Sequence, residues 1–567
     1  MPALKISTPK SKPEHTFSIG SQPEEIKSWI EALPLFDAAT TIQEAMPILV
    51  ELNRTEIDNT LRLFTMQLLA QALQHPIERT QKKYLAVPLP LTDKYKIESC
   101  NIKQLLTEMA HGYKIIINNH ISNPTQRLSL EDITQTTYLA IHYTGQLMLD
   151  RYLCYESQAS STWIELTELY RFSSTLCIES APISIRDNKQ STIEQLYLQI
   201  LLLVAIYPYR LTHGEASIVY KLMGDWSRHC KILKPTPDWK PTNELIVKST
   251  NYSVVYHASP DEDLSDLKDI RVINIDRLKA FMKTHSENVK GTSSTLSERL
   301  MRNMFTRLLD GWRSSNVRTS TRTDCANKIK LVIGLNACYA AFGGKHPKTD
   351  HPAHTKMRLI PMDGESDDPW APAIANIHID AGDASKFEVD DPNKDIWDKQ
   401  TVLPTFSDTP QGPAFKCYEA IQTDHSAMGL SVRFDFSSGL KLNVGDLIAF
   451  QPDSSNGDGC KLGSIRWMEL SQDQGILGIK LFPFTPTPIA TKALIGIGKG
   501  GDLMQSLLLT PDGLNHPEAT IIVPASVYDT ATCLYVELNK QSAKITLTSL
   551  HDFSKSFACF SFEPLIL

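Results

Sequence analysis

Two short groups of residues in this 567-residue chain have side chains suited to a ligand that carries phosphate and guanine. Arg318 and Arg322 form an Arg-x-x-x-Arg sequence, and an arginine fork binds phosphate oxygens, pairs with guanine O6 and N7, and stacks on bases. About a hundred residues later, Asp424, Ser426 and Gly429 form an Asp-x-Ser-x-x-Gly sequence. The carboxylate can accept from guanine N1 and N2, the hydroxyl adds a polar contact, and glycine lets the backbone approach a ligand closely.

Each group also has an ordinary structural interpretation. Arg318 and Arg322 are compatible with an exposed basic turn, because an Arg-x-x-x-Arg sequence arises readily by chance in a chain of this length. Asp424 and Ser426 are typical of turns, in which their side chains bond to nearby backbone. The sequence alone leaves both interpretations open.

The elements that must position these residues are β-strands. Residues 416–482 contain four runs of alternating apolar and polar residues, separated by Gly, Asn, Asp and Ser. Before them, Ile329–Leu335 reads as a further strand directly after the arginine pair. The pattern predicts a small antiparallel barrel with both groups on it.

Residues 318–490 resemble a PilZ domain, a β-barrel family that binds cyclic di-GMP through these two sequence motifs. The resemblance implies that cyclic di-GMP is the ligand and that its contacts are Arg318, Arg322, Asp424, Ser426 and Gly429. One departure concerns spacing, because the motifs of the family are normally separated by a few tens of residues. Residues 343–412 would then be a disordered insertion that loops out, since they are rich in Pro, Asp, His and Gly and have little periodicity.

The rest of the chain predicts an α+β multidomain protein. Apolar residues at helical spacing over residues 20–245 predict an all-α, repeat-like region, and we expect this region to bind a partner protein. Thr41 and Glu44 are predicted to form the capping box of one helix, and residues 213–232 are predicted to form the last helix of the region. The predicted divisions are a disordered tail (1–20), the helical region (20–245), a small α/β connector ending in an amphipathic helix (246–315), the PilZ-like barrel (316–490) and a C-terminal β unit (491–567).

The amphipathic helix of the connector is predicted to run directly into the arginine pair. Its apolar residues recur every four positions and give it one apolar face: Leu296, Leu300, Met304, Leu308 and Trp312.

Composition narrows the class of protein. A net charge of −7 argues against a protein that coats nucleic acid. The longest apolar run, Leu196–Tyr207, is shorter than the roughly 20 residues that a membrane span needs. The ten cysteines are scattered without a C-x-x-C pair, which favours a reducing compartment, and we expect a cytoplasmic protein.

We therefore expect a bacterial cyclic di-GMP receptor and not an enzyme. In this interpretation the ligand orders the arginine segment, the adjoining helix transmits the change to the helical region, and the output concerns motility, pili or biofilm. One alternative is a PilZ-fold scaffold that binds no nucleotide, in which Arg318 and Arg322 point to solvent away from Asp424. A less favoured alternative is a metal-dependent phosphodiesterase using His351 and His354 of the insertion; we expect no metal.

Overall fold

The computed structural model describes most of the chain outside the 343–412 insertion. The described residues are 4–12, 17–185, 189–242, 244–248, 255–258, 267–288, 296–312, 321–344, 416–436, 439–452, 459–471, 473–496, 498–499, 501–511, 519–525, 527–538 and 541–564, without the side chains of 268, 285–288, 296–303, 452, 485, 511 and 541. The chain divides into two compact units. The first comprises Met1–Pro208, His213–Thr292 and Met304–Val317, and the second comprises Tyr209–Thr212, Ser293–Asn303 and Arg318–Leu567.

The first unit is mainly helical. Its long central helices pack in succession and bury apolar residues between them, as the sequence predicts. The helices up to the sheet are α1 (Pro23–Glu31), α2 (Ala38–Leu52), α3 (Asn59–Leu85), α4 (Asp93–Ser122), α5 (Leu130–Leu153), α6 (Ser160–Thr175), α7 (Ile193–Ala205) and α8 (Glu215–Trp226), with a short ribbon of β1 (Ile183–Ser184) and β2 (Gln190–Ser191) before α7.

The capping box predicted at Thr41 and Glu44 is wrong. Helix α2 begins earlier, and Asp37 caps it by accepting hydrogen bonds from the backbone N–H groups of Ala39 and Thr40 at 3.1 and 3.5 Å. Thr41 lies inside the helix, where its hydroxyl donates to the carbonyl of Asp37 at 2.8 Å. The helix begins at Asp37 because a carboxylate accepts these donors well and because Ala38 and Ala39, which follow it, are good helix formers.

The last helix predicted for this region, 213–232, ends sooner than expected. Helix α8 stops at Trp226, and the chain then forms a strand of a four-stranded antiparallel sheet with the order β3-β6-β4-β5. The strands are β3 (Lys231–Leu233), β4 (Leu245–Lys248), β5 (Val255–His257) and β6 (Ile270–Asn274). Strands β5 and β6 lie within the residues predicted as a small α/β connector, 246–315.

Helices α9 (Asp276–Asn288) and α10 (Leu296–Gly311) follow the sheet. The predicted apolar face of α10 is confirmed at its C-terminal end, where Met304, Leu308 and Trp312 are all buried. The side chains of Leu296 and Leu300 lie outside the described residues.

A carboxylate is buried in the middle of the first unit. Asp150 on α5 has no exposed surface and accepts hydrogen bonds from the Tyr84 hydroxyl and from the Gln81 amide at 2.9 Å. Burial raises the pKa of Asp150 to about 6, because the charged form loses its hydration.

Within the described residues of the second unit, six strands close the predicted barrel in the order β10-β11-β12-β9-β8-β7. The strands are β7 (Thr323–Ile333), β8 (Tyr418–Ser426), β9 (Gly429–Asp435), β10 (Leu447–Pro452), β11 (Lys461–Leu470) and β12 (Gln474–Leu481), and a short helix α11 (Leu335–Ala341) follows β7. The first strand therefore starts six residues earlier than the expected Ile329, directly after Arg322.

A second closed barrel follows, with the order β13-β14-β15-β18-β17-β16. Its strands are β13 (Phe484–Ile495), β14 (Met504–Pro511), β15 (Thr520–Pro524), β16 (Cys533–Leu538), β17 (Gln541–Phe553) and β18 (Phe557–Pro564). The first residues of β13 include Pro486 and Pro488, which pair with β14 but lie before the stretch that pairs with β16. Proline is tolerated there because one edge of the strand needs no backbone donor.

The two barrels share one hydrophobic core. Val332, Leu447 and Leu462 of the first barrel belong to the same buried cluster as Leu507 and Phe557 of the second. The Arg466 guanidinium also pairs with Asp552, and the Ser556 hydroxyl donates to the carbonyl of Gly445 at 3.1 Å. The second barrel therefore supports the first through packing as well as polar contacts.

Candidate ligand-binding site

The Asp-x-Ser-x-x-Gly sequence forms the hairpin between β8 and β9. Ser426 pairs with Gly429 across a two-residue loop, and Asp424 pairs with Ser431. A bulge between Gln422 and Asp424 shifts the side-chain alternation. Leu430 and Val432 point into the barrel, so Ser431 between them and its partner Asp424 lie on the outer face.

Arg322 lies directly before β7 and contacts both other strands. Its Nη1 donates to the two carboxylate oxygens of Asp424 at 2.7 and 2.8 Å and to the Ser431 hydroxyl at 2.7 Å. The Ser431 backbone N–H completes the arrangement by donating to Asp424 Oδ1 at 3.1 Å. Strand pairing thus brings together two residues, Arg322 and Asp424, that are 102 positions apart in the sequence.

The ion pair is partly accessible to solvent. The Arg322 side chain is 31% exposed and that of Asp424 is 19% exposed, whereas Ser431 is buried beneath them. In the contacts with described residues Arg322 uses only Nη1, so its Nε and Nη2 edges can still bind a phosphate or guanine.

The other two residues of the motif have structural roles in the hairpin. The Ser426 hydroxyl donates to the carbonyl of Gly429 at 3.2 Å, as in the turn interpretation. A Cβ atom on Gly429 would lie 2.6 Å from the carbonyl oxygen of Ile479 on β12. Glycine is therefore required here by the close approach of a neighbouring strand. Whether either residue also contacts a ligand remains a prediction.

A cleft of about 270 Å³ lies on the outer face of β7, β8 and β9. The next outward pair after Asp424 and Ser431, Ile421 with Arg433, lines it. Lys328 and Lys330 add two cations, whereas Glu419, Asp435 and Gln474 add acidic and polar groups. Beside the ion pair, the lining of the cleft thus carries three cations and two carboxylates, in a chain of net negative charge.

Arg318 and the histidines of the insertion, His351 and His354, lie outside the described residues. No group of three or more potential metal ligands is found among the residues that the structure describes. Sequence reasoning missed Ser431, although a signal was present: it is a small polar residue two positions after Gly429 and therefore on the same face of β9.

A barrel of this strand order, with an arginine before its first strand held on the aspartate of the β8–β9 hairpin, is a PilZ domain. Three family models match the chain in succession: "Cyclic-di-GMP receptor FimW, N-terminal domain" over residues 24–238, "Cyclic-di-GMP receptor FimW, middle PilZ domain" over 247–488, and "FimW C-terminal beta-barrel domain" over 489–565. The chain belongs to this family of cyclic di-GMP receptors, and cyclic di-GMP is its ligand.

No curated protein and no solved structure matches the chain. The family is a receptor family and not a family of enzymes. None of the helices in the described residues is long and apolar enough to cross a membrane.

Proposed function

We propose that cyclic di-GMP binds on the outer face of the PilZ barrel and that Arg318, Arg322, Asp424, Ser426 and Gly429 form its site. The contact of Arg322 with Asp424 and Ser431 carries this proposal, because it places a cation and a carboxylate side by side on an accessible surface. The scaffold alternative expects Arg322 to point away from Asp424, and the ion pair favours the receptor.

The ligand carries two phosphates and two guanines, which require different partners. The Nε and Nη2 edges of Arg322, which bond no described residue, suit a phosphate oxygen or the O6 and N7 of a guanine, whereas Asp424 suits the N1 and N2 donors of that base. Arg318, four positions before Arg322, supplies a second guanidinium for the same compact ligand.

We propose further that ligand binding is transmitted to the helical region through α10. Within the first unit the end of this helix is firmly held: Trp312 is buried and its Nε1 donates to the carbonyl of Leu202 at 3.4 Å, and Arg307 pairs with Glu215. Only nine residues lie between Trp312 and Arg322, and the ten steps from one to the other span at most about 36 Å. A ligand that fixes both arginines on the barrel therefore restrains the chain leading to this anchor, which is an ordering switch.

Hydrogen exchange measured by mass spectrometry tests the coupling on the full chain. Saturating cyclic di-GMP should change exchange in residues 304–312 as well as in β8 and β9. A change confined to the barrel would contradict transmission through α10. We propose that the ligand changes which partner protein the helical region binds, and that this partner acts in motility, pili or biofilm. Capture of partner proteins by the full chain with and without cyclic di-GMP tests this output.

The site itself is tested by titrating cyclic di-GMP into Asp424→Asn. Hydrogen bonds to charged groups contribute about 1.5–3 kcal/mol, so affinity should fall about 10- to 150-fold. Asp225→Asn is a matched control, because Asp225 forms an ion pair with Arg228 at 3.0 Å on the surface of the first unit. Equal affinity of Asp424→Asn and the control would remove Asp424 from the site.

A further inference from the structure

The N-terminal residues 4–12 form neither helix nor strand and lie against helix α6 of the first unit. The backbone N–H of Ser7 donates to Glu165 Oε1 at 2.9 Å, and the Ser7 hydroxyl donates to the same oxygen. The backbone N–H of Lys5 donates to Glu168 Oε2 at 3.4 Å. Two residues of an extended chain advance about 6.6 Å, and side chains three positions apart on a helix lie about 5–6 Å apart. The two carboxylates of α6 therefore match alternate residues of an extended segment.

The other end of the segment is held at the connection between α2 and α3. The backbone N–H of Lys12 donates to the carbonyl of Arg54 at 2.7 Å, and the Ser11 hydroxyl donates to Glu56 Oε1 at 2.7 Å. Three of these five hydrogen bonds start from backbone N–H groups of the segment. The contacts therefore depend only in part on which side chains the segment carries.

The two carboxylates of α6 are held in place by the helices themselves. Glu165 Oε2 accepts from the ammonium group of Lys114 on α4, and both residues are buried. Glu168 forms an ion pair with Arg171 one turn later on α6. The acceptors are thus already positioned by the helical unit for a segment that lies across them.

The segment itself buries little apolar surface. None of residues 4–12 is buried, and its two large apolar side chains, Leu4 and Ile6, are only half-buried. By contrast, Leu166 and Leu169 of α6 have no exposed surface. Because hydrophobic stabilisation is proportional to the apolar area removed from water, the segment is held mainly by its polar contacts and can be replaced by another segment that makes them.

We propose that Glu165, Glu168 and the α2–α3 connection form a peptide-binding site for an extended basic segment of a partner protein, and that residues 4–12 occupy this site in cis. Main-chain hydrogen bonds provide affinity for extended peptides, and alternate side chains provide specificity. Residues 4–12 contain three lysines and no acidic residue, and the carboxylates of the site would repel an acidic segment. The assignment rests on the part of the proposed function that gives the helical region a partner protein.

A fluorescently labelled peptide with the sequence of residues 1–12 tests this site by anisotropy, in the absence of cyclic di-GMP. We expect saturable binding to a chain that lacks residues 1–12. The full chain with Ser7→Pro should also bind the peptide, because proline removes both donors to Glu165 and loosens the segment in cis. The parent chain should bind the peptide at least about ten-fold more weakly than the shortened chain, since its own segment competes at a high effective concentration.

Two variant peptides test the contacts themselves. The Ser7→Pro peptide should bind the shortened chain at least about ten-fold more weakly than the parent peptide, because it loses hydrogen bonds to a charged group. Lys10→Pro is the matched control, since the backbone N–H of Lys10 donates to none of the described residues. The affinity of this control peptide should stay within a few-fold of the parent peptide.

Two results would overturn the proposal. If neither the shortened chain nor the Ser7→Pro chain binds the peptide while thermal unfolding shows that they are folded, residues 4–12 are a fixed part of the fold. If the parent chain sediments as a dimer and the Ser7→Pro chain as a monomer, the site belongs to the segment of a second copy and not to a partner protein. Titration of cyclic di-GMP into the shortened chain reports on the barrel site separately, so failure of the peptide site and failure of the ligand site are distinguished.

Discussion

The glycine of the Asp-x-Ser-x-x-Gly motif offers a sharp test of the barrel's packing. Gly429→Ala would place a Cβ atom 2.6 Å from the carbonyl oxygen of Ile479. Even close carbon–oxygen contacts between strands are about 3.3–3.6 Å, so β9 and β12 would have to separate by roughly 0.7–1.0 Å at this point. The obstacle is backbone and not a flexible side chain, which leaves little room for relaxation.

Overpacking of this kind costs about 1–3 kcal/mol. For a unit of 150–250 residues each kcal/mol lowers the unfolding midpoint by about 2–4 °C, so we expect a decrease of about 2–12 °C. Thermal unfolding of the full chain measures it. Gly459→Ala is the matched control, because a Cβ atom there meets nothing within 4 Å, and its midpoint should equal that of the parent chain.

The two variants must also be compared for ligand affinity at a temperature where both are folded. If Gly429→Ala unfolds like the control yet loses affinity for cyclic di-GMP, the glycine serves the ligand and the packing argument fails.

Two further predictions concern single polar groups. Ser431→Ala removes the hydroxyl that accepts from Arg322, and at about 1 kcal/mol this should weaken cyclic di-GMP binding about five-fold in a titration; parental affinity would exclude Ser431 from positioning Arg322. Asp150 has a folded-state pKa of about 6, which is above its value in the unfolded chain, so the folded state binds more protons than the unfolded state. The contribution of Asp150 to the free energy of unfolding therefore falls as the pH rises from about 4 to about 6. Asp150→Asn should remove that contribution, on the order of 3 kcal/mol, and the difference in stability between the parent chain and the variant should change between pH 5 and pH 7 in urea unfolding; a constant difference would contradict a raised pKa.

The sequence was most informative where the signal is local. Alternating runs and turn residues predicted the strands around Asp424, and the two-residue turn of the β8–β9 hairpin follows from that pattern. The apolar spacing that predicted α10 likewise reported a real buried face at Met304 and Trp312.

Errors arose where neighbouring signals compete. Thr41 fits a capping box as well as any residue does, but Asp37 lies four positions earlier and begins the helix first. The pattern of α8 continues past Trp226 in the sequence, whereas pairing with β6 recruits Lys231–Leu233 into a sheet. Such pairing between distant segments cannot be predicted from a local periodicity in the sequence.

The contact of Arg322 with Ser431 could not be predicted, because it depends on the register of strands that are distant in sequence. A bulge between Gln422 and Asp424 decides which face the carboxylate occupies, and a one-residue change would turn it inward.

The most direct test of the central claim is isothermal titration of cyclic di-GMP into the parent chain and Arg322→Ala side by side. The account predicts saturable binding by the parent chain and a loss of at least about ten-fold in the variant, since a charged hydrogen-bond donor is removed from the ligand. Arg228→Ala, which removes a surface arginine of the first unit, should bind like the parent chain. Equal affinity of Arg322→Ala and the parent chain would show that cyclic di-GMP binds elsewhere.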